Sequence, residues 1–509
     1  VHKNDLVWKA LIEIICHVAN EYPHQALWTM IAGSQSKDAE RKKRFGDITN
    51  RLKTSAKSNP GVSKIVDQTL RMAKELLYLC DFPVQKETQL SLPTHFPRLT
   101  SLANGELILP LQSSISVKMP GDYRTDTDHR AFEKDLPRIV GFDPKVDVMN
   151  SLQKPRKLVI IASDGNQYPF LCKPKDDLRK DARLMEFDAM INNLLQSNSE
   201  SRKRNLYIRT YSVITLNEEC GLIEWVPNTT GLRHILHKLY HAKDIALYTS
   251  EVQKNLDKAR ANPRNAAELF ETLVLSEYPS VFHEWFIETF PEPSAWLRAR
   301  LAYAHTLAVM SMVGHVLGLG DRHGENILFD SESGDVVHVD LNCLFDKATL
   351  FEIPERVPFR LTHNLVDALG VTGCEGVFRR VAEITMGILR DNKDSLMSVL
   401  EAMVHDPLVE WCVDDRHKAS KHSTSTTSAG HHSRMMEARM AEARNSLDPV
   451  MQKLNGKLRR NNAEAGGPMS RSLGWTSAYS TNTLVDALIR DATSNQLLGQ
   501  MYAGWASYL

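Results

Sequence analysis

Eight consecutive residues, Gly320-Asp321-Arg322-His323-Gly324-Glu325-Asn326-Ile327, with His338-Val339-Asp340 just beyond, set an acid, a histidine, an amide and a second acid on two short neighbouring segments. Phosphoryl transfer from ATP asks for that set. One carboxylate meets the hydroxyl nucleophile, while an amide and a second carboxylate hold magnesium against the phosphates. Asp321 and Asn326 stand five residues apart, the offset of aspartate and asparagine in the HRDxxxxN loop of protein kinases. Asp340 closes the apolar run Val336-Val337-His338-Val339, which reads as a buried strand. Asp321 is therefore the candidate base or orienter, and His323 the candidate stabiliser of charge on the phosphoryl group. Asn326 and Asp340 are the candidate metal ligands.

The phosphates also need a fixed cation. Lys173 ends the apolar strand Tyr168-Pro169-Phe170-Leu171-Cys172 and opens a charged run to Asp181. It is the candidate cation, with Asp176 and Asp181 as carboxylates able to hold it. No GxGxxG and no GxxxxGK[ST] occurs, which argues against a Walker-type ATPase and against the ordinary protein kinases. The turn Val146 to Leu152, followed by Lys154-Pro155, is the available cover for the phosphates, and Ser151 could donate a hydroxyl there. For adenine, Gly221 to Pro227 offers an apolar strand ending at Trp225.

Several elements must position these groups. Apolar spacing predicts helices over residues 1 to about 80, including an amphipathic stretch Val62 to Cys80. From Pro110 the pattern changes. Leu111 to Lys118 alternates as a half-buried strand does, and Ile139–Phe142, Val146–Met149, Lys157–Ala162 and Tyr168–Lys173 read as strands, with Ser163-Asp164-Gly165 as a turn. A helix is expected from about Leu178 to Gln196, then strands over Tyr207–Leu216 and Gly221–Val226. Helical periods dominate after Gly231, with a long helix Ala295 to Leu319 leading into the acidic loop. Leu365 to Leu400 is mostly helical. Arg416 to Arg434 is rich in Ser, Thr and His and buries too little to order itself.

The chain has 509 residues, enough for two to four domains, and 42% are apolar. Lys plus Arg and Asp plus Glu balance at 62 each, which argues against a dedicated nucleic-acid-binding chain. Seven scattered cysteines with no CxxC pair suit a reducing compartment. No apolar run reaches the length of a membrane span. The start, Val-His-Lys-Asn-Asp, carries no initiating methionine, and the chain is expected to be part of something longer.

These pieces, in this order, resemble the phosphatidylinositol 3-kinase-related protein kinases and their checkpoint branch. The resemblance rests on Cys172 to Phe187, Phe282-His-Glu-Trp-Phe286, Met310-Ser-Met-Val-Gly314, Gly318 to Asp330, Val357-Pro-Phe-Arg-Leu-Thr-His-Asn364 and Leu498-Gly-Gln-Met-Tyr-Ala-Gly-Trp505. It implies an α+β, bilobal catalytic domain over residues 101–412, with a small α+β N-lobe (about 101–226) and a mainly helical C-lobe (about 227–412). Residues 1–100 would end a helical FAT solenoid, 413–476 would be a variable regulatory insert, and 477–509 a helical FATC segment. Lys173 resembles the phosphate-binding lysine with Asp181 as neighbour, and Ser151 lies in the phosphate-covering loop. Glu224, Trp225 and Val226 resemble the adenine hinge, with Tyr211, Ile223, Leu328 and Val339 lining the slot. Asp321 and His323 look like the catalytic pair, and Asn326 and Asp340 like ligands of magnesium (or manganese).

The same resemblance implies ATP as cofactor, a nuclear checkpoint kinase and protein substrates with Ser or Thr followed by Gln. Implied partners are an ATRIP-like regulatory subunit, checkpoint activators, and DNA reached mainly through partners, in a dimer of heterodimers. Asp340-Leu341-Asn342 departs from the Asp-Phe-Gly of ordinary kinases. A lipid kinase and a catalytically silent scaffold are the alternatives. Asn342 to Arg360 sets Lys347, Arg356 and Arg360 against Asp346, Glu352 and Glu355, a balance that favours a protein over an inositol phosphate. A scaffold is expected to lack one of Lys173, Asp321, Asn326 and Asp340, and all four are present.

Overall fold

A computed structural model describes residues 5–55, 60–119, 129–151, 153–247, 250–404, 445–459 and 474–509. Leu152, the low-complexity stretch and most of the expected 413–476 insert lie outside the described residues. The chain divides into two compact units: residues 1–186 with 210–226, and residues 187–209 with 227–509.

The first unit opens with helices Asp5–Glu21, Pro23–Met30, Ala39–Ser55 and Pro60–Asp81. Their apolar stripes face inward: Ile12, Leu27, Trp28, Ile48, Leu52, Val66, Leu76 and Leu79 are all buried. A seven-stranded antiparallel sheet follows. Its strands are β1 (Gln89–Ser91), β2 (Ile139–Phe142), β3 (Lys145–Val148), β4 (Arg156–Ala162), β5 (Gln167–Lys173), β6 (Val213–Thr215) and β7 (Gly221–Glu224), in the order β1-β3-β4-β5-β7-β6 with β2 also on β4. One continuous core joins the helices to the sheet, running from Trp28 and Leu76 to Leu158, Phe170 and Leu222.

One expected strand is absent and another is shortened. Gln112–Ile115 is a single helical turn, because Ser114 N–H and Ile115 N–H close on Leu111 O at 2.9 and 3.1 Å. Gln112 N–H is taken by the Glu224 carboxylate at 2.8 Å, and Ser116 N–H closes on Gln112 O at 3.0 Å, so these donors are spent locally and not on a ladder. Of Tyr207–Leu216 only β6 is a strand; Ile208 N–H donates to the Asn192 side chain at 2.7 Å and Tyr207 Oη–H to Asp335 at 2.6 Å.

The second unit is built on the helix Pro293–Leu317, whose residues from Tyr303 onward are almost all buried. Glu292 caps its first turn through Ala295 N–H at 2.8 Å. Strands β8 (Thr229–Gly231), β9 (Ile327–Asp330) and β10 (Val336–His338) form a small antiparallel sheet with β9 central. The stretch expected to be helical over 365–400 is three helices, His363–Ala368, Val377–Asp391 and Lys393–Val404. Gly370, Gly373 and Gly376, all at positive φ, make the turn after the first of them.

Candidate active site

In the second unit, the helix Pro293–Leu317 ends at Gly318 in the left-handed region, φ 62°, where a Cβ would stand 2.4 Å from Asp346 N. Gly320 N–H then donates to Cys343 O at 2.8 Å. These contacts deliver Asp321 at a fixed place. Asp321 (φ 59°) and Asp340 (φ 55°) are both left-handed, a conformation that costs a non-glycine residue on the order of 1 kcal/mol and that concentrates at functional sites.

Arg322 holds that strained arrangement. Its side chain is 3% exposed and donates to main-chain oxygens on both acidic segments. They are Gly320 O at 2.9 Å, Val339 O at 2.8 Å and Asp340 O. One guanidinium thus sets the spacing between the Asp321 loop and the end of β10. Asn326 Nδ2 donates to Asp321 O at 3.0 Å, and Val339 N–H donates to Asn326 O at 3.1 Å. Among the described residues no protein donor occupies Asn326 Oδ1. Asp340 is exposed, and Asn342 Nδ2 donates to its Oδ1 at 3.0 Å. The asparagine that replaces the usual glycine therefore orients the carboxylate beside it. An amide oxygen and an exposed carboxylate are hard donors of the kind magnesium accepts.

Glu325 N–H donates to His323 Nδ1 at 3.2 Å, which leaves the proton on Nε2. Burial lowers the His323 pKa, opposed by the nearby Asp321, so the ring is neutral and a donor. Asp321 N–H donates to Glu355 Oε1 at 2.9 Å, and burial pushes the Glu355 carboxyl up to about 7. Leu328 and Val339, expected to line the adenine slot, are half-buried near these groups in sequence and sheet: Leu328 pairs with Val337 and with Gly231.

The first unit arranges the expected nucleotide residues on β5 and β7. Leu171 pairs with Ile223 and Lys173 with Gly221. Strand alternation puts Leu171, Lys173 and Ile223 on the half-open face, while Phe170, Cys172 and Leu222 fill the core. Lys173 Nζ lies 3.3 Å from the Asp176 carboxylate. Asp181, in the first turn of the helix Arg179–Ser197, is 1% exposed. The Glu224 side chain is structural, accepting from Gln112 N–H and from Ser212 N–H at 2.9 Å. Trp225 N–H donates to Pro169 O at 3.1 Å, Lys157 Nζ sits 4.6 Å from the Trp225 ring centre, and Val226 and Tyr211 are buried. Ser151 is exposed at the tip of the β3–β4 turn, its N–H on Met149 O and its O accepting from Lys154 N–H.

Three further residues shape the second unit's site without having been singled out in the sequence for it: Arg322, Glu355 and Arg360. Arg322 lies inside the motif, and a buried arginine needing several carbonyl partners was its available signal. Glu355 and Arg360 act across long sequence separations. Arg360 is 2% exposed and donates to Arg322 O (3.2 Å), Trp505 O (2.7 Å), Ala506 O (2.8 Å) and Leu509 O (3.1 Å). Its guanidinium also stacks 4.3 Å from the Trp505 ring centre. The C-terminal residues are thereby a wall of the Asp321 loop. Leu484, Leu488, Leu498, Met501, Trp505 and Tyr508 are all buried. Arg233 adds a second tie, to Gly504 O at 2.8 Å.

Residues 167–413 match the family described as phosphatidylinositol 3- and 4-kinase, residues 479–509 match the FATC domain, and residues 1–73 match the HEAT repeats of ATR-like serine/threonine-protein kinases. Across its whole length the chain is 44% identical to protein kinase rad3 of Schizosaccharomyces pombe, covering 20% of that protein. It is 42% identical to the serine/threonine-protein kinase ATR of Oryza sativa, covering 18% of it. The chain thus spans about a fifth of the length of these curated relatives. Among solved structures, the FAT and kinase domain of CtTel1 superposes with a TM-score of 0.79 at 29% identity, over 100% of this chain and 33% of that one. The chain carries a domain of the phosphatidylinositol 3- and 4-kinase family and a FATC domain, and along its whole length it is similar to ATR-like serine/threonine-protein kinases.

Proposed function

We propose that this chain is the catalytic end of an ATP-dependent serine/threonine protein kinase. The observation that carries the reading is the paired left-handed acids, Asp321 and Asp340, held in register by the buried Arg322. In the proposed reaction the bond between the γ-phosphorus and the β–γ bridging oxygen of ATP breaks. A bond from the substrate hydroxyl oxygen to that phosphorus forms, and the hydroxyl proton passes to the Asp321 carboxylate. His323 Nε2–H donates to the phosphoryl oxygens, and Lys173 supplies a cation to the nucleotide phosphates. Asn326 and Asp340 would hold magnesium, which when bound neutralises phosphate charge. Glu224 to Val226, Tyr211, Ile223, Leu328 and Val339 are proposed for adenine, Ser151 and Asp181 for the phosphate end.

A protein hydroxyl is favoured over an inositol lipid by what the segment 342–360 exposes. Arg360 is spent on main-chain oxygens and Asp346 on Lys453, so neither meets substrate. The outward residues of that segment are Leu350 (73% exposed), Phe351 (40%) and Glu352, none of them basic. We propose substrates with Ser or Thr followed by Gln, a nuclear checkpoint role, and the ATRIP-like, activator and DNA-associated partners in a dimer of heterodimers, on the strength of the ATR-like relatives. Within the described residues no helix is long and apolar enough to cross a membrane. The domain division 1–100, 101–412, 413–476 and 477–509 is proposed on the same ground. The test is ATP-dependent phosphate transfer to paired Ser-Gln and Ser-Ala peptides and to phosphatidylinositol vesicles. Transfer to the lipid alone overturns the protein-kinase reading; equal transfer to both peptides overturns the glutamine preference.

A further inference from the structure

Behind the segment that follows the catalytic loop, within the second unit, lies a cavity of ≈110 Å³. It touches Gly320, which precedes Asp321, and Glu355 and Arg356 of the segment 342–360. Lys457 and Arg459, just past the helical residues 445–454, form another wall, and Asp491 of the helix Thr481–Ala492 a third. Drug-sized sites run about 300–1,000 Å³, so this space is too small for a nucleotide. It suits a phosphate-sized group.

The charges around it do not cancel. Arg356 Nε is buried without a hydrogen-bond partner, and burial lowers the Arg356 pKa. Lys457 Nζ donates to the neutral Gln452 Oε1 at 3.0 Å. Among the described residues none of Arg356, Lys457 and Arg459 forms an ion pair. Two of the three carboxylates lining it are engaged elsewhere. Asp346 is paired with Lys453 at 2.6 Å. Glu355 accepts from Asp321 N–H and is pushed up to about 7 by burial, and burial also raises Asp491.

We propose that this cavity binds a tetrahedral oxyanion, phosphate or a phosphomonoester, through Arg356, Lys457 and Arg459. Guanidinium groups recognise such oxygens by paired charge-assisted hydrogen bonds. The bound anion joins the segment 342–360 to residues 457–459. Fixing Arg356 also fixes its neighbour Glu355, which holds the Asp321 N–H. The proposal rests on the cavity and its charges and does not depend on the kinase reading.

The test is thermal unfolding of the protein titrated with inorganic phosphate, and separately with N-acetyl-phosphoserine amide, against sodium chloride at matched ionic strength. A saturable rise in melting temperature is expected. Its half-point should weaken roughly ten- to hundredfold in Arg459→Gln and in Arg356→Gln, the loss of one charge-assisted contact. Arg459 is exposed, so its replacement leaves folding intact. The rise should persist in Lys173→Met, because phosphate acting at the nucleotide lysine would lose it there. A tighter half-point for the phosphoserine amide assigns the source to a phosphorylated side chain; a tighter one for phosphate assigns it to the free anion. No rise beyond chloride overturns the proposal. So does a rise unchanged in both arginine variants, or one abolished by Lys173→Met.

Discussion

Asp188 offers a test of the electrostatics that needs no substrate. It lies in the helix Arg179–Ser197, is 0% exposed, and neither carboxylate oxygen has a hydrogen-bond partner. Burial raises its pKa from 3.8 to about 8. Below about pH 4 the group is protonated in both folded and unfolded chains and contributes no pH dependence. Between about 4 and 8 the unfolded chain ionises while the folded one keeps the proton, so stability falls as pH rises. The slope is about 1.4 kcal/mol per pH unit, and the accumulated loss by pH 7 is on the order of 4 kcal/mol. Asp188→Asn removes the titration and leaves a neutral group of the same shape. Its own packing cost is constant with pH, so the informative quantity is the difference between variant and parent. That difference should grow in the variant's favour from pH 5 to pH 7.5, by roughly 3 °C of melting temperature per pH unit if a kilocalorie is worth about 2 °C in a unit this large. Thermal unfolding at half-unit pH steps measures it. Parallel pH profiles for the two proteins refute the reasoning, because they mean that Asp188 ionises in the fold or is hydrated there.

Three other outcomes follow from the site. Asp321→Asn and Asp340→Asn should each remove most phosphoryl transfer while leaving circular dichroism unchanged. Asparagine is chosen because it tolerates the left-handed backbone at φ 59° and 55°, and near-parental turnover in either folded variant sinks the role assignment. Lys173→Met should cost turnover far more than Lys175→Met, since Lys173 lies on the half-open face of β5 beside Asp176 and Lys175 sits past the strand end at φ 53°; equal losses in a peptide assay count against Lys173. Trp505→Ala should destabilise by about 3–5 kcal/mol and lower activity with it, since Trp505 is 1% exposed and its carbonyl and ring both meet Arg360. An unchanged melting temperature and turnover in that variant would mean that the C-terminal residues are not part of the lobe.

The proposed chemistry was legible in the sequence alone. Acid, histidine, amide and acid at fixed offsets are local in the chain, and a reaction that needs a base and two oxygen ligands constrains residue types at short spacing. The sequence also determined the long elements, Pro60–Asp81 through its sustained apolar period of 3.6 and Pro293–Leu317 through a long apolar run with no proline after its first turn. It misjudged Leu111–Lys118, where a short alternating pattern was overruled by the Glu224 carboxylate taking the backbone donor of Gln112. It also weighed Arg360 as a substrate-facing charge, whereas the fold buries it on four main-chain oxygens. Only tertiary structure decides such matters. A carbonyl carries no signature in the sequence, and the partners of Arg322, Glu355 and Arg360 lie up to 149 residues away along the chain. Which charges point at substrate and which hold the loop is set by burial, through the cost of leaving a buried cation or N–H without a partner.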